Sequence, residues 1–265
     1  MRVAMVGDTS FGGVRMRGVQ VALQNGWEMI DLADLATKPK YDVLILVKYA
    51  GGFADLIRSK CRRLIFDPLD CWAGRDEDPK SFWARLRSEI GFDDIIATSP
   101  ACAESMPGRV HLIPHHADVR ILPERNDPSG PVVYIGDERY IRDGIQPIRA
   151  ACEKLRRQLL IGTHPVMLHG ASVALAPRLG RSSTEINRRC KPCVKVENAA
   201  AASVPVLATD DPAITSLYGI TSVVAHSVWA DPVELAASIR SASVVEHRYS
   251  IAETAATLDR IVRCV

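Results

Sequence analysis

Residues 2–15 read RVAMVGDTSFGGVR. The apolar run Val3–Val6 ends at Gly7, a polar turn follows, and the pair Gly12-Gly13 opens a helical stretch reaching about Asn25. The run is apolar throughout rather than alternating, the mark of a strand buried on both faces of a parallel sheet. Moving outward, the same signature recurs at WEMIDL (27–32), YDVLILVK (41–48), RLIFD (63–67), DIIATS (94–99) and RVHLIPHH (109–116). The segments between these runs are long enough for crossover helices; Lys80 to Ile90 carries Phe82, Leu86 and Ile90 on one stripe. Residues 117–131, ADVRILPERNDPSGP, interrupt the pattern with three prolines and read as a linker. A second series follows: VVYIG (132–136), LLIGT (159–163), SVALAP (172–177), VPVLAT (204–209) and TSVVAH (221–226). Helical stretches lie between them, including one predicted from Pro192 to about Ser203. The expectation is an α/β protein of two Rossmann-like parallel-sheet domains, 1–122 and 123–250, closed by a helix over 251–265. That last helix carries Ile251, Ala255, Leu258 and Val262 as an apolar stripe. In open sheets of this kind ligands bind at the carboxyl ends of the strands, so the residues just after each strand are the ones to inspect.

The 265 residues are 47% apolar and 24% charged, an ordinary globular composition. A net charge of +2, from 33 basic and 31 acidic residues, argues against attachment to nucleic acid through bulk charge. No apolar run approaches the roughly 18 residues of a membrane span. The opening apolar residues are too few for a signal peptide, and a soluble cytoplasmic protein is expected. The seven cysteines are scattered, as free thiols would be. Cys190 and Cys193 form a CxxC with no second ligand pair, so packing thiols are expected rather than a zinc site. Among the seven histidines only His115 and His116 are adjacent, and no metal-hydrolase spacing occurs. No metal and no resident cofactor are expected.

Several residues after strands could carry chemistry. Gly12 and Gly13 let a backbone approach a ligand, or simply make a tight strand-to-helix turn. Lys191, Lys195 and Asn198, spaced i, i+4, i+7, are predicted to share a face of the 192–203 helix, with Pro192 in its first turn. Cations gathered at a helix start favour a phosphate, and Asn198, a turn deeper, suits a ribose hydroxyl. Asp67 and Asp70 follow RLIF and could hold hydroxyls, act as a base, or merely make a turn. His115 and His116 end their strand where a histidine could donate to a sugar or a phosphate.

These segments resemble one family in order along the chain. Lys191 to Thr209, ending in Pro205-Val206-Leu207-Ala208-Thr209, resembles the donor-site helix and "PVIAT" strand of glycosyltransferases with the GT-B fold, nearest the family-four retaining group. Gly12-Gly13-Val14-Arg15 resembles that family's "GG-x-R" turn, and Ile113-Pro114-His115-His116-Ala117-Asp118 its "IP-x-G-x-D" segment. Val133-Tyr134-Ile135-Gly136 resembles the first strand of its second domain. The resemblance implies a nucleotide-sugar donor in the second domain. Its phosphates would meet Gly12, Gly13, Gly136, Arg139, Arg142, Lys191 and Lys195. The acceptor, held on the first domain, is a saccharide, a lipid-linked glycan, a small molecule or a nucleic-acid base. The resemblance also implies retention, no metal, and a last helix that braces the first domain. The chain departs from the pattern where the family's two glutamates would fall, at Cys190 and Asn198, and where Ser203 replaces a glycine. These departures keep two alternatives open: an inactive nucleotide-sugar-binding partner protein, and a sugar-nucleotide epimerase.

Overall fold

The computed structural model describes residues 1–49, 51–69, 77–121, 123, 127–179, 184–219 and 223–264. The chain divides into two compact units. Unit 1 comprises Met1–His116, Glu185–Pro192 and Tyr249–Val265, and unit 2 comprises Ala117–Thr184 and Cys193–Arg248. The division therefore falls at 116/117 rather than 122/123, and the short 185–192 segment belongs with unit 1.

Unit 1 is built on six parallel strands: β1 (Val3–Gly7), β2 (Glu28–Asp31), β3 (Tyr41–Val47), β4 (Cys61–Asp67), β5 (Asp94–Ala97) and β6 (Arg109–Leu112). Their order is β2-β1-β3-β4-β5-β6, with every neighbouring pair parallel. The chain steps outward from β1 to β2, then returns to lay β3 on the other side of β1, so the topological switch point lies between β1 and β3. The two backbones run close there: a Cβ at Gly7 would lie 2.6 Å from the Val47 carbonyl oxygen, which is why a glycine ends β1. The helix after β1 runs over residues 12–25, with a π-helical stretch, Arg15–Gln20, between α-helical ends. It stops at Gly26, which takes the left-handed conformation, φ +66°.

The last helix, Ile251–Arg263, begins at a capping box in which Ser250 and Glu253 satisfy each other's backbone N–H groups. Ala255, Leu258 and Val262 are buried, in one cluster with Met5, Val21, Ala22 and Val43. Burial of aliphatic side chains as large as leucine and valine contributes about 1.5–3 kcal/mol each. Asn25 adds a 2.9 Å hydrogen bond to the Ala255 carbonyl.

Unit 2 has five parallel strands: β7 (Val132–Ile135), β8 (Leu159–Gly162), β9 (Val173–Ala176), β10 (Val206–Thr209) and β11 (Val223–Val224). Their order is β11-β10-β9-β7-β8, which puts this switch point between β7 and β9. On one face of the sheet Val132, Tyr134, Leu175 and Leu207 pack with Ile148, Leu235 and Ile239 of the flanking helices, and every residue of β9 and β10 is buried, whichever face it points to. Among the described residues no helix is long and apolar enough to cross a membrane.

One predicted helix is corrected. The helix predicted from Pro192 to about Ser203 forms over Val194–Ala201, and a further helix, Glu185–Cys190, precedes it. Proline lacks an N–H and disfavours helical geometry in the residue before it, so the first helix stops short of Lys191-Pro192. It is docked on unit 1 at its carboxyl end. Thr98 Oγ1 donates to the Cys190 carbonyl (3.1 Å) and Ser99 Oγ to the Arg189 carbonyl (3.0 Å), while Ile186 and Cys190 enter the core.

Candidate functional site

Each unit presents its own group of polar residues at the carboxyl ends of its strands. In unit 2 the group centres on Lys195, in the first turn of Val194–Ala201. Its Nζ lies 4.5 Å from the centroid of the Tyr134 ring and 3.4 Å from the Tyr134 hydroxyl. Burial pushes the Tyr134 phenol well above its usual range, so it stays a neutral partner. Gly136 ends β7 beneath the ammonium: a Cβ there would sit 2.9 Å from Lys195 Nζ, and the backbone has φ +155°. A cation is thus placed over the end of the first strand of unit 2, at its switch point, where only a glycine leaves room.

Arg139 and Arg142 lie on short 3₁₀ turns after β7, and both are exposed. Arg139 is paired with Asp137 at 2.6 Å, and that pairing holds the Asp137 carboxyl below its usual range. Arg142 has no ion-pair partner among the described residues. Asn198 is 4% exposed, and its Oδ1 accepts from the Asp118 backbone N–H at 2.9 Å. Lys191 does not share a helix face with Lys195 and Asn198: it follows the preceding helix, and its N–H donates to the Asn187 carbonyl. Cys190 and Cys193 are buried free thiols in different units; burial raises the Cys193 thiol to about 11.

Sequence reasoning passed over two residues of unit 2. Arg178, two residues beyond β9, is 6% exposed; its N–H donates to Thr209 Oγ1 (2.7 Å) and its guanidinium faces Asp211 (3.5 Å). Asp211 begins the helix Pro212–Tyr218 but does not cap it with its side chain, which stands beside Arg178 and His226 (3.5 Å). Glu197, wholly buried, accepts from the Tyr218 hydroxyl, from the Arg248 N–H (3.2 Å) and lies 2.5 Å from His247 Nδ1. A basic residue directly after the apolar run SVALAP was a readable sign of Arg178; nothing in the sequence brought Tyr218 and His247 to Glu197.

In unit 1, Gly12 is exposed and Gly13 half-buried, at the start of the helix after β1. Asp67 is fully enclosed and takes a 2.6 Å contact from Arg17 Nε. Burial pushes its carboxyl up, while the adjacent guanidinium pulls it down. Arg17, itself buried, also donates to the carbonyls of Ile113 (2.8 Å) and Pro114 (2.8 Å). The pair therefore braces the exit of β6 instead of presenting an open carboxylate. Asp70 lies outside the described residues.

His115 and His116 are both buried, their rings 5.1 Å apart. His115 Nδ1 lies 2.8 Å from the His116 carbonyl, and His116 Nε2 3.2 Å from Gln20 Oε1. Burial first, then His115 and Arg17, push the His116 imidazole down to about 2, so it is neutral at physiological pH. Unfolded, it would titrate near 6.5. Below that pH the unfolded chain binds the extra proton, so the His116 contribution is complete above about pH 6.5 and is lost as pH falls toward 2. The slope approaches about 1.4 kcal/mol per pH unit. His116→Gln should flatten the acid-side fall of the denaturant midpoint between pH 6.5 and 4; an unchanged slope would rule the assignment out.

No protein-family model matches the chain, and no curated protein matches it in sequence. Solved structures do match in fold. AviGT4, a glycosyltransferase involved in avilamycin A biosynthesis, shares 15% identity at a TM-score of 0.63, over 99% of this chain and 97% of its own. The apo structure of OtsA shares 8% identity at a TM-score of 0.62, over the whole of both chains. The GtfA/B complex shares 10% identity at a TM-score of 0.53 over 86% of this chain, which spans 58% of the length of the GtfA/B chain. At these identities the likeness is one of fold, and the fold is the one the sequence led us to expect.

Proposed function

We propose that this chain, whose two parallel-sheet units have the GT-B fold, transfers a glycosyl group from a nucleoside-diphosphate sugar to an acceptor. The observation that carries this reading is the Lys195 ammonium, held over Tyr134 and against Gly136 at the switch point of unit 2. A diphosphate laid across the end of β7 would meet that cation and the Gly136 backbone, with Arg142 exposed on the turns beyond. When the glycosidic bond breaks, negative charge grows on the departing diphosphate. A preplaced cation in a partly buried setting stabilises that charge without reorganisation. The helix Val194–Ala201 adds its positive end. Retention, independence of metal and a cytoplasmic setting belong to the same reading. The buried free thiols agree with a reducing compartment.

Calorimetry with the common nucleoside diphosphates and their sugars tests it. At least one diphosphate should bind, and its sugar should be consumed with release of the diphosphate when acceptors are supplied. Folded protein that binds none would overturn the proposal. Chelation of divalent ions should leave turnover unchanged. A second reading, a binding partner without turnover, draws on Asn198, which stands where the family has an acid and is engaged by the Asp118 N–H. It predicts the same binding with no diphosphate released.

A further inference from the structure

The chain passes between the two units after residues 116, 184, 192 and 248. All but one of these crossings bear on a single helix, Val194–Ala201. The helix starts just beyond Pro192. Its Asn198 Oδ1 accepts from the Asp118 N–H (2.9 Å), just past the first crossing. Its Glu197 accepts from the Arg248 N–H (3.2 Å), just before the last. Lys195 stands in the first turn of the same helix.

The excursion into unit 1 over residues 185–192 is gripped at the carboxyl end of its helix. The last carbonyls of a helix lack intrahelical donors. Two buried hydroxyls on consecutive residues past β5 supply them here, Thr98 to Cys190 and Ser99 to Arg189. Ser99 Oγ also accepts from the Cys102 N–H (3.1 Å), so its proton is committed to the Arg189 carbonyl. The apolar contacts of Ile186 and Cys190 hold the helix down, but burial has no direction and a hydrogen bond has one. The hydroxyls therefore fix where the helix ends. From that end only Lys191 and Pro192 lead to Cys193, in unit 2. This link is stiff. Proline fixes its own φ and disfavours helical geometry at Lys191, whose N–H stays on the Asn187 carbonyl (3.0 Å). On the far side the Cys193 carbonyl accepts from the Val196 (2.9 Å) and Glu197 (3.0 Å) N–H groups, in the turn that carries Lys195.

We propose that Thr98 and Ser99 of unit 1 are positioning residues for the donor site of unit 2. By fixing the end of Glu185–Cys190 they set, through Lys191-Pro192, where the Lys195 ammonium stands at the end of β7. Under the transferase reading, on which this rests, residues 185–192 are a strap that makes unit 1 a determinant of how tightly the diphosphate is held.

Two changes loosen the strap at different points. Thr98→Val removes the hydroxyl and nearly keeps the shape. A Gly-Gly insertion between Lys191 and Pro192 leaves every side chain in place and slackens the link. Each should weaken nucleoside-diphosphate binding by about threefold or more in calorimetry, the scale of coupling through a packed network. The bare nucleoside should bind as before, and Thr98→Ser should restore the parent value. In a Lys195→Ala background the insertion should cost nothing further, because the strap acts through that ammonium. A role in folding alone would lower stability without this pattern. Hydrogen exchange of the Val196 and Glu197 amides, read with no nucleotide present, should quicken by about tenfold in the insertion variant, with the β7 amides unchanged. Unchanged exchange at those two amides would overturn the proposal. So would unchanged diphosphate affinity in both variants, or an equal loss from the insertion with and without Lys195. Parent protein that binds no diphosphate sinks the transferase reading instead, and the exchange rates then decide the strap by themselves.

Discussion

Lys195→Ala is expected to weaken nucleoside-diphosphate binding by roughly 10- to 150-fold while leaving the fold intact. The figure follows from losing one charge-assisted contact to phosphate, worth about 1.5–3 kcal/mol. The side chain is half-buried and lies over the Tyr134 ring, so truncation opens little of the core. The control is the bare nucleoside. It lacks the phosphates, so its weaker binding should be the same in the parent and the variant. Equal losses for nucleoside and diphosphate would mean that Lys195 acts by shaping the site. No loss for either would remove it from the donor contact. Turnover should fall further than binding, since charge on the diphosphate grows as the bond breaks.

Asp67→Ala should be among the most destabilising single changes in unit 1, by about 3–5 kcal/mol, the cost of leaving a buried partner charge alone. Arg17 is fully enclosed, so no water replaces the lost carboxylate. The guanidinium also ties down the Ile113 and Pro114 carbonyls, so its displacement would loosen the segment that ends in His115 and His116. Arg17→Met would strand Asp67 and those two carbonyls instead. The double variant Arg17→Met/Asp67→Ala removes both charges and should lose less than the sum of the two singles. Urea denaturation of the four proteins gives the coupling directly. Strict additivity would show that the 2.6 Å contact contributes nothing to folding.

Much of the fold was legible because the strands of a doubly covered parallel sheet are continuous apolar runs. All eleven runs became strands, from VAMVG at 3–7 to Val223–Val224. Helix ends were less legible. The run of helix formers from Val194 to Ala201 suggested one long helix from Pro192, yet the proline that marked a start also ended the helix before it. The helix Glu185–Cys190 was missed because only two of its six residues, Ile186 and Cys190, are core apolar positions. Of the candidate residues, Lys195 and Gly136 were found in the sequence and do meet in space. Asp67, His115, His116 and Asn198 were chosen for their chemistry, and the fold buries all four.

The amino-acid order alone determined the two parallel arrays, because periodicity and glycine turns are local properties that survive being read one residue at a time; the strand order, and with it each switch point, came only from the tertiary structure. Which charges are spent internally was decided only by the tertiary structure. Arg17 meets Asp67 across 50 residues and Asn198 meets Asp118 across 80, and no spacing rule encodes such pairs. The same packing places the Lys195 ammonium over Tyr134 and against Gly136. Whether a polar residue serves the fold or a ligand depends on which partners the folded chain brings to it.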